Sequence, residues 1–110
     1  MRTSIVVSLQ VEGTHSWPEC PIEEVSFLKN EHRHIFFIQC KKNVTHTDRE
    51  VEIIQLKRKI QAFLVDQYSN QNDIHSSVCL FGRMSCEDIA QRLLYEFNLT
   101  FCSVLEDNEN

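Results

Sequence analysis

The stretch HRHIFFIQC, residues 32–40, decides how this chain is expected to fold. Its aromatic and β-branched side chains predict a strand over about residues 33–44. Side chains two residues apart in a strand point to the same face, so His32 and His34 share a face with Phe36. Two imidazoles side by side on one face of a strand are a candidate pair of metal ligands.

A third histidine, His15, follows another strand-like segment. Residues 4–11 alternate between apolar and polar side chains, which is typical of a strand with one buried face. Continuing this alternation places His15 on the apolar face, although Gly13 loosens the extrapolation. Three neutral imidazoles suit Zn²⁺ and leave a fourth position for water or substrate. The alternative is an exposed His-x-His pair with an unrelated third histidine.

The rest of the chain predicts an α+β domain of order β-β-α-α-β, with an antiparallel sheet and two helices packed on one of its faces. Apolar residues at helical spacing from Ile53 to Leu64 indicate the first helix. The second helix begins at Ser85 as its N-cap, with two acidic residues in its first turn. Residues 99–105 predict a third strand, whereas residues 68–83 are polar and typical of turns.

Length and composition predict one domain over residues 1–110. The net charge of −5 disfavours DNA or an anionic membrane as a partner, because both require a basic face. The five cysteines form no CxxC pair and fit free thiols in a reducing compartment. No secretory leader or transmembrane stretch is recognisable, so we predict a cytoplasmic protein with neither nucleic acid nor membrane as a partner.

The order of elements and five motifs resemble the 6-pyruvoyl-tetrahydropterin synthase and 6-carboxytetrahydropterin synthase (QueD) family, which has the T-fold. The resemblance covers about residues 5–107 and makes the chain a divergent short member. The matching motifs are His15-Ser16-Trp17-Pro18, His32-Arg33-His34, Glu52-Ile53-Ile54-Gln55-Leu56-Lys57, Met84-Ser85-Cys86-Glu87-Asp88-Ile89-Ala90 and Val104-Leu105-Glu106. The resemblance implies Zn²⁺ bound by His15, His32 and His34, a small-molecule pterin or purine-like ligand, and a homo-oligomer with sites at subunit boundaries.

The resemblance also implies which residues contact the ligand. Glu106 falls at the carboxylate that accepts two N–H groups of the ligand ring, although the residue also fits an acidic tail. Ser85 and Cys86 fall in the segment that offers backbone groups to the ring, whereas helix capping and core packing explain them without a ligand. Arg33 replaces the family's middle glycine and adds a cation that could hold phosphate.

The family's usual catalytic groups are not matched. Leu28 stands where the family has its cysteine, and Gln67 stands where it has a relay histidine. Asp66 with His75 or Cys20 would have to substitute for them. Acidic neighbours of Cys20 oppose formation of a thiolate, and His75 fits a surface turn.

Two functions follow as expectations. One is a zinc-dependent carbon–oxygen lyase or synthase acting on a pterin or purine-like compound, which needs a general base besides the metal. The alternative is a catalytically inactive domain that binds or sequesters a purine-like signalling nucleotide. A purely structural assembly module is a third interpretation. We expect a homo-oligomer in every case, because the open edges of a short sheet need to be covered.

Overall fold

The computed structural model describes residues 2–110 and has the predicted α+β class. A four-stranded mixed sheet is combined with two α-helices and a 3₁₀ segment. The elements follow in the order β1 (Thr3–His15), the 3₁₀ segment (Glu23–Lys29), β2 (His32–Val44), α1 (Ile53–Tyr68), β3 (Cys79–Gly82), α2 (Cys86–Phe97) and β4 (Phe101–Glu106). Among residues 2–110, no helix has the length and apolar character needed to cross a bilayer.

A long antiparallel pair, β1 with β2, forms the centre of the sheet. The pairing runs over all 13 residues of each strand, from Thr3 opposite Val44 to His15 opposite His32. β1 therefore continues four residues beyond the predicted end of the strand at residue 11. Gly13 permits this continuation beneath a buried ring, because a Cβ at Gly13 would lie 2.7 Å from Cε2 of Phe81.

The predicted antiparallel β-β-α-α-β arrangement is wrong in one respect, because it omits a strand. The strand order is β3-β1-β2-β4; β3 pairs with β1 in parallel, and β4 pairs with β2 antiparallel. β3 lies inside the segment predicted as turns, residues 68–83, and has only four residues. Cys79 and Phe81 are buried and alternate with exposed neighbours. An alternation this short does not stand out in a polar segment.

Both α-helices pack on one face of the sheet, as predicted. α1 buries Leu56, Ile60 and Leu64, and α2 buries Ile89 and Leu93. The side chains of the central strands in the same core cluster are Val7, Leu9, Val11, Phe36, Ile38 and Cys40. Removing this apolar surface from water is the main force that holds the helices against the sheet.

The predicted start of α2 is confirmed. The Ser85 hydroxyl oxygen accepts a hydrogen bond from the backbone N–H of Asp88 at 3.1 Å, and the Asp88 carboxylate accepts one from the backbone N–H of Ser85 at 3.1 Å. This reciprocal capping box satisfies two backbone donors at the helix start. It also holds the loop between β3 and α2, which borders the site described next.

Candidate metal centre

Three histidines and a glutamate come together where β1 ends, β2 begins and β4 ends. One ligand atom from each of these residues lies within 4.8 Å of the other three, and the group consists of His15, His32, His34 and Glu106. Register explains the placement, since His15 lies opposite His32 and His34 follows two residues later on the same face. The structure thus brings the three predicted histidines together, and the group could hold a metal ion.

Each imidazole has a hydrogen-bond acceptor at its Nδ1 atom. The three pairs are His15 with the Met84 carbonyl oxygen at 2.9 Å, His32 with the Asn30 carbonyl oxygen at 2.8 Å, and His34 with Oδ2 of Asp107 at 2.7 Å. Because these oxygens only accept, each Nδ1 carries the proton and each neutral ring keeps a lone pair at Nε2. Metal-ligating histidines in proteins show this same arrangement.

The Glu106 carboxylate faces two of the three Nε2 atoms. Its Oε2 lies 2.8 Å from Nε2 of His15 and 2.9 Å from Nε2 of His34. An unprotonated Nε2 and a carboxylate oxygen both present lone pairs, so a contact this short requires a cation between them. That cation is either a proton added to each ring or a single metal ion. Nε2 of His32 is buried and has no hydrogen-bond partner among residues 2–110. Three imidazole nitrogens and a carboxylate are a donor set that Zn²⁺ accepts.

A buried aromatic side chain contacts two of the three histidine rings. Phe36 is fully buried and makes edge contacts with the rings of His15, at 5.3 Å between centroids, and His34, at 5.7 Å. Phe81 in turn packs against Phe36, with 5.1 Å between the ring centroids. These contacts hold the ring orientations and reduce the local polarity, so that charge interactions at the site are stronger than in water.

Asp107 is a residue of the site that the sequence analysis missed. It follows the end of β4 with a φ of 54°, in the left-handed region that aspartate tolerates. This turn brings its carboxylate to Nδ1 of His34 and to the backbone N–H of Ile35, which donates to Oδ1 at 2.9 Å. The hydrogen bond from His34, followed by that from Ile35, lowers the pKa of Asp107. The available signal was an acidic residue directly after the predicted Glu106.

A cavity of about 580 Å³ opens beside the cluster. This volume is within the usual range for sites that bind small molecules. Its lining includes His15, Trp17, Leu28, Arg83, Ser85, Cys86, Glu87, Asp88 and Glu106. Trp17, which is 42% exposed, offers a flat apolar surface, and three carboxylates offer hydrogen-bond acceptors.

Not all of the residues predicted to contact the ligand line this cavity. Ser85 and Cys86 line the cavity with Glu106, whereas Arg33 lies outside that lining and pairs with Glu12. The hydrogen bond to Glu12, together with its charge, raises the pKa of Arg33. Burial, reinforced by the nearby carboxylates, raises the pKa of the Cys86 thiol to about 12. The ligand-binding roles of these residues stay predictions.

The three predicted catalytic residues are neither in the four-residue cluster nor among the residues that line its cavity. Asp66 is exposed on α1. Cys20 is buried, and its thiol lies 3.7 Å from each of two backbone carbonyl oxygens in its own loop. His75 is exposed, and its backbone N–H donates to Asp73. Catalysis by Asp66, Cys20 and His75 stays a prediction.

A scan of the chain against protein-family models finds no match, and a search of the curated proteins finds none either. The resemblance to the tetrahydropterin synthases therefore stays a prediction that rests on the motifs and their order. The four side chains could hold a metal ion whatever the family of the chain, because their geometry alone brings the ligand atoms together.

Proposed function

We propose that this protein binds one Zn²⁺ through Nε2 of His15, His32 and His34, with Glu106 as a fourth donor. The observation that carries the proposal is the acceptor at every Nδ1 atom, which leaves three Nε2 lone pairs beside one carboxylate. The buried Nε2 of His32, which has no hydrogen-bond partner in the part of the chain that the structure describes, supports it further. A buried polar atom of this kind is costly unless something binds it.

Metal analysis of the purified protein, together with native mass spectrometry, tests this proposal. We expect one zinc per chain in the wild type and its loss in His32→Ala. His46→Ala is the matched control, because His46 lies in the turn after β2 and its side chain is 57% exposed. Zinc in equal amount in all three proteins, or in none, would contradict the proposed centre.

The proposal extends to a T-fold-like domain whose cavity takes a pterin or purine-like compound beside the metal. The resemblance to the tetrahydropterin synthases supports this ligand class. The cavity supports it independently, since Trp17 provides a stacking surface, and Glu87 and the Glu106 oxygen that does not face the histidines provide acceptors for ring N–H groups. Calorimetry with guanosine nucleotides and reduced pterins tests it, with adenosine nucleotides and a sugar phosphate as controls.

A turnover measurement separates the enzyme from the binding protein. As an enzyme, the protein would be a zinc-dependent carbon–oxygen lyase or synthase, and a zinc ion held by the three histidines and Glu106 would have to take a ligand oxygen as a further donor to act on it as a Lewis acid. As a binding protein, it would sequester a purine-like nucleotide. The positions of Asp66, Cys20 and His75 outside the cavity favour the binding protein. Mass spectrometry of the ligand after incubation decides, since product that disappears with a chelator and in His32→Ala identifies the enzyme.

The sheet edges support a homo-oligomer with sites near subunit boundaries. β3 and β4 are the outer strands, and β4 carries Glu106 at its end. An edge strand offers unpaired backbone groups to a second copy of the chain. Native mass spectrometry measures the subunit number directly, and a monomer at micromolar concentration would contradict this part of the proposal.

A further inference from the structure

We infer that Asp107 is a positioning residue of this centre, which fixes His34 in the tautomer and orientation that present Nε2 to the metal. This inference rests on the proposed zinc site. Asp107 does not itself contribute a donor to the four-residue cluster. It acts through His34, whose ring lies between the carboxylates of Glu106 and Asp107.

The backbone of β2 holds the Asp107 carboxylate in place. Its Oδ1 accepts a hydrogen bond from the N–H of Ile35 at 2.9 Å, and the N–H of Asp107 donates to the carbonyl oxygen of Ile35 at 2.8 Å. Because the carboxylate and the backbone N–H of Asp107 both bond to Ile35, Oδ2 is directed at Nδ1 of His34, at 2.7 Å. The carboxylate is thus placed independently of the metal.

The position requires a carboxylate, because both of its oxygens accept. An asparagine has one acceptor and one donor group. If its oxygen kept the Ile35 N–H, its amide NH₂ would face Nδ1 of His34 and favour a proton on Nε2. In the opposite orientation, the NH₂ group would face the N–H of Ile35. Either arrangement disrupts one of the two hydrogen bonds, and the first one blocks metal binding through Nε2.

Asp107 is also the one side chain among the three Nδ1 acceptors. His15 and His32 donate to backbone carbonyl oxygens, of Met84 and Asn30, which substitution leaves in place. Asp107 is therefore the position at which the orientation of a metal-binding ring can be tested by mutation. Changing an outer-shell partner of this kind typically lowers metal affinity about 10- to 100-fold.

The experiment compares zinc affinity and histidine tautomers in wild type, Asp107→Asn and Asp48→Asn. Asp48 is the matched control, since its side chain is 86% exposed and lies outside the four-residue cluster. Chelator competition gives the dissociation constants, and ¹⁵N NMR of the metal-free proteins at mildly alkaline pH gives the imidazole tautomers. We expect Asp107→Asn to bind zinc about 10- to 100-fold more weakly, with the His34 proton moved to Nε2, and Asp48→Asn to match wild type.

The outcomes separate this inference from the proposed function. Wild-type protein that binds no zinc would overturn both. Wild-type affinity in Asp107→Asn would overturn the inference alone. Weaker binding with an unchanged tautomer, explained by a lower melting temperature of the metal-free variant, would assign Asp107 a merely structural role. If Asp107→Asn does not fold, the wild-type spectrum still decides, because a neutral His34 protonated at Nε2 contradicts the inference.

Discussion

Nε2 of His15 lies 2.8 Å from Oε2 of Glu106, although 91 residues separate them in the sequence. β2 lies between their two strands in the sheet, so the contact joins the ends of β1 and β4 across the start of β2. The candidate metal centre is therefore a junction of three strands. A metal bound there would stabilise the folded state by an amount that grows with the logarithm of the ratio of its concentration to its dissociation constant.

Glu106→Gln should weaken zinc binding by at least about tenfold, the lower end of the loss when an outer-shell partner is changed, because a neutral amide replaces an anionic donor. Chelator competition measures the change. Glu109→Gln is a matched control, since Glu109 is exposed three residues further on. If Glu106→Gln kept full zinc affinity and lost only the affinity for a pterin or purine-like ligand, Glu106 would serve the ring, as the family resemblance implies.

Gly13→Ala should destabilise the protein by about 1–3 kcal/mol, the usual range for overpacking a core. The new Cβ would lie 2.7 Å from Cε2 of Phe81, whose side chain is buried and packed against Phe36. Denaturant unfolding measures the loss. Gly82→Ala provides a comparison with a different cause, because Gly82 has open space around it and a φ of +63°. Gly82→Ala should lower the free energy of unfolding by about 1–2 kcal/mol through backbone strain.

The sequence predicted the features of the site that depend on strand periodicity. His15 lies on the expected face because β1 and β2 pair without a shift in register from Thr3 to His15. The same periodicity put His32 and His34 on one face. Local capping chemistry similarly predicted Ser85 at the start of α2, which the structure confirms.

The features that the sequence analysis missed depend on tertiary contacts. β3 is stabilised by pairing with β1 and by burial of Cys79 and Phe81, and a four-residue strand has too little pattern of its own to reveal this. Strand alternation would point Asp107 away from Glu106. A left-handed turn instead brings its carboxylate to His34. A backbone acceptor such as the Met84 carbonyl cannot be predicted from residue types, because every residue has a backbone carbonyl.

Stability should depend on pH through Glu50. Its carboxylate accepts hydrogen bonds from the hydroxyl and the backbone N–H of Thr45, which lower its pKa in the folded protein. A lowered carboxyl pKa stabilises the folded state above the unfolded pKa, near 4.3 for glutamate, and this contribution disappears as the pH falls through the folded pKa. Glu50→Gln should therefore be less stable than wild type at neutral pH, and the gap should close in acid. A gap in unfolding free energy that does not change with pH would contradict this.

Cys86 should resist alkylation in the folded protein. Burial, assisted by the carboxylates of Glu106 and Glu87, raises the pKa of its thiol to about 12, so almost no thiolate forms at neutral pH. Cys79 is an internal reference, because it is fully buried and burial raises its pKa to about 11. Iodoacetamide followed by peptide mass spectrometry should modify both only after unfolding. Rapid labelling of native Cys86 would instead indicate a reactive thiol in the cavity.

Trp17 should report ligand binding by its fluorescence. It is the one tryptophan of the chain, and its side chain lines the cavity beside the candidate metal centre. Two backbone hydrogen bonds hold Trp17 in place. The backbone N–H of Trp17 donates to the Leu28 carbonyl oxygen at 2.7 Å, and the backbone N–H of Cys20 donates to the Trp17 carbonyl oxygen at 3.1 Å. A guanine or pterin ring that stacks on the indole should quench its emission.

Replacing the indole tests whether this stacking contributes to affinity. Stacking of a base on an aromatic side chain is worth about 1–3 kcal/mol, so Trp17→Ala should weaken ligand binding by roughly 5- to 150-fold. Trp17→Phe should retain most of the affinity while losing the fluorescence signal, and both variants should bind zinc like wild type. Since the emission is absent from these variants, calorimetry measures their affinities. Equal ligand affinity in wild type and Trp17→Ala would show that the ring binds elsewhere in the cavity, away from the indole.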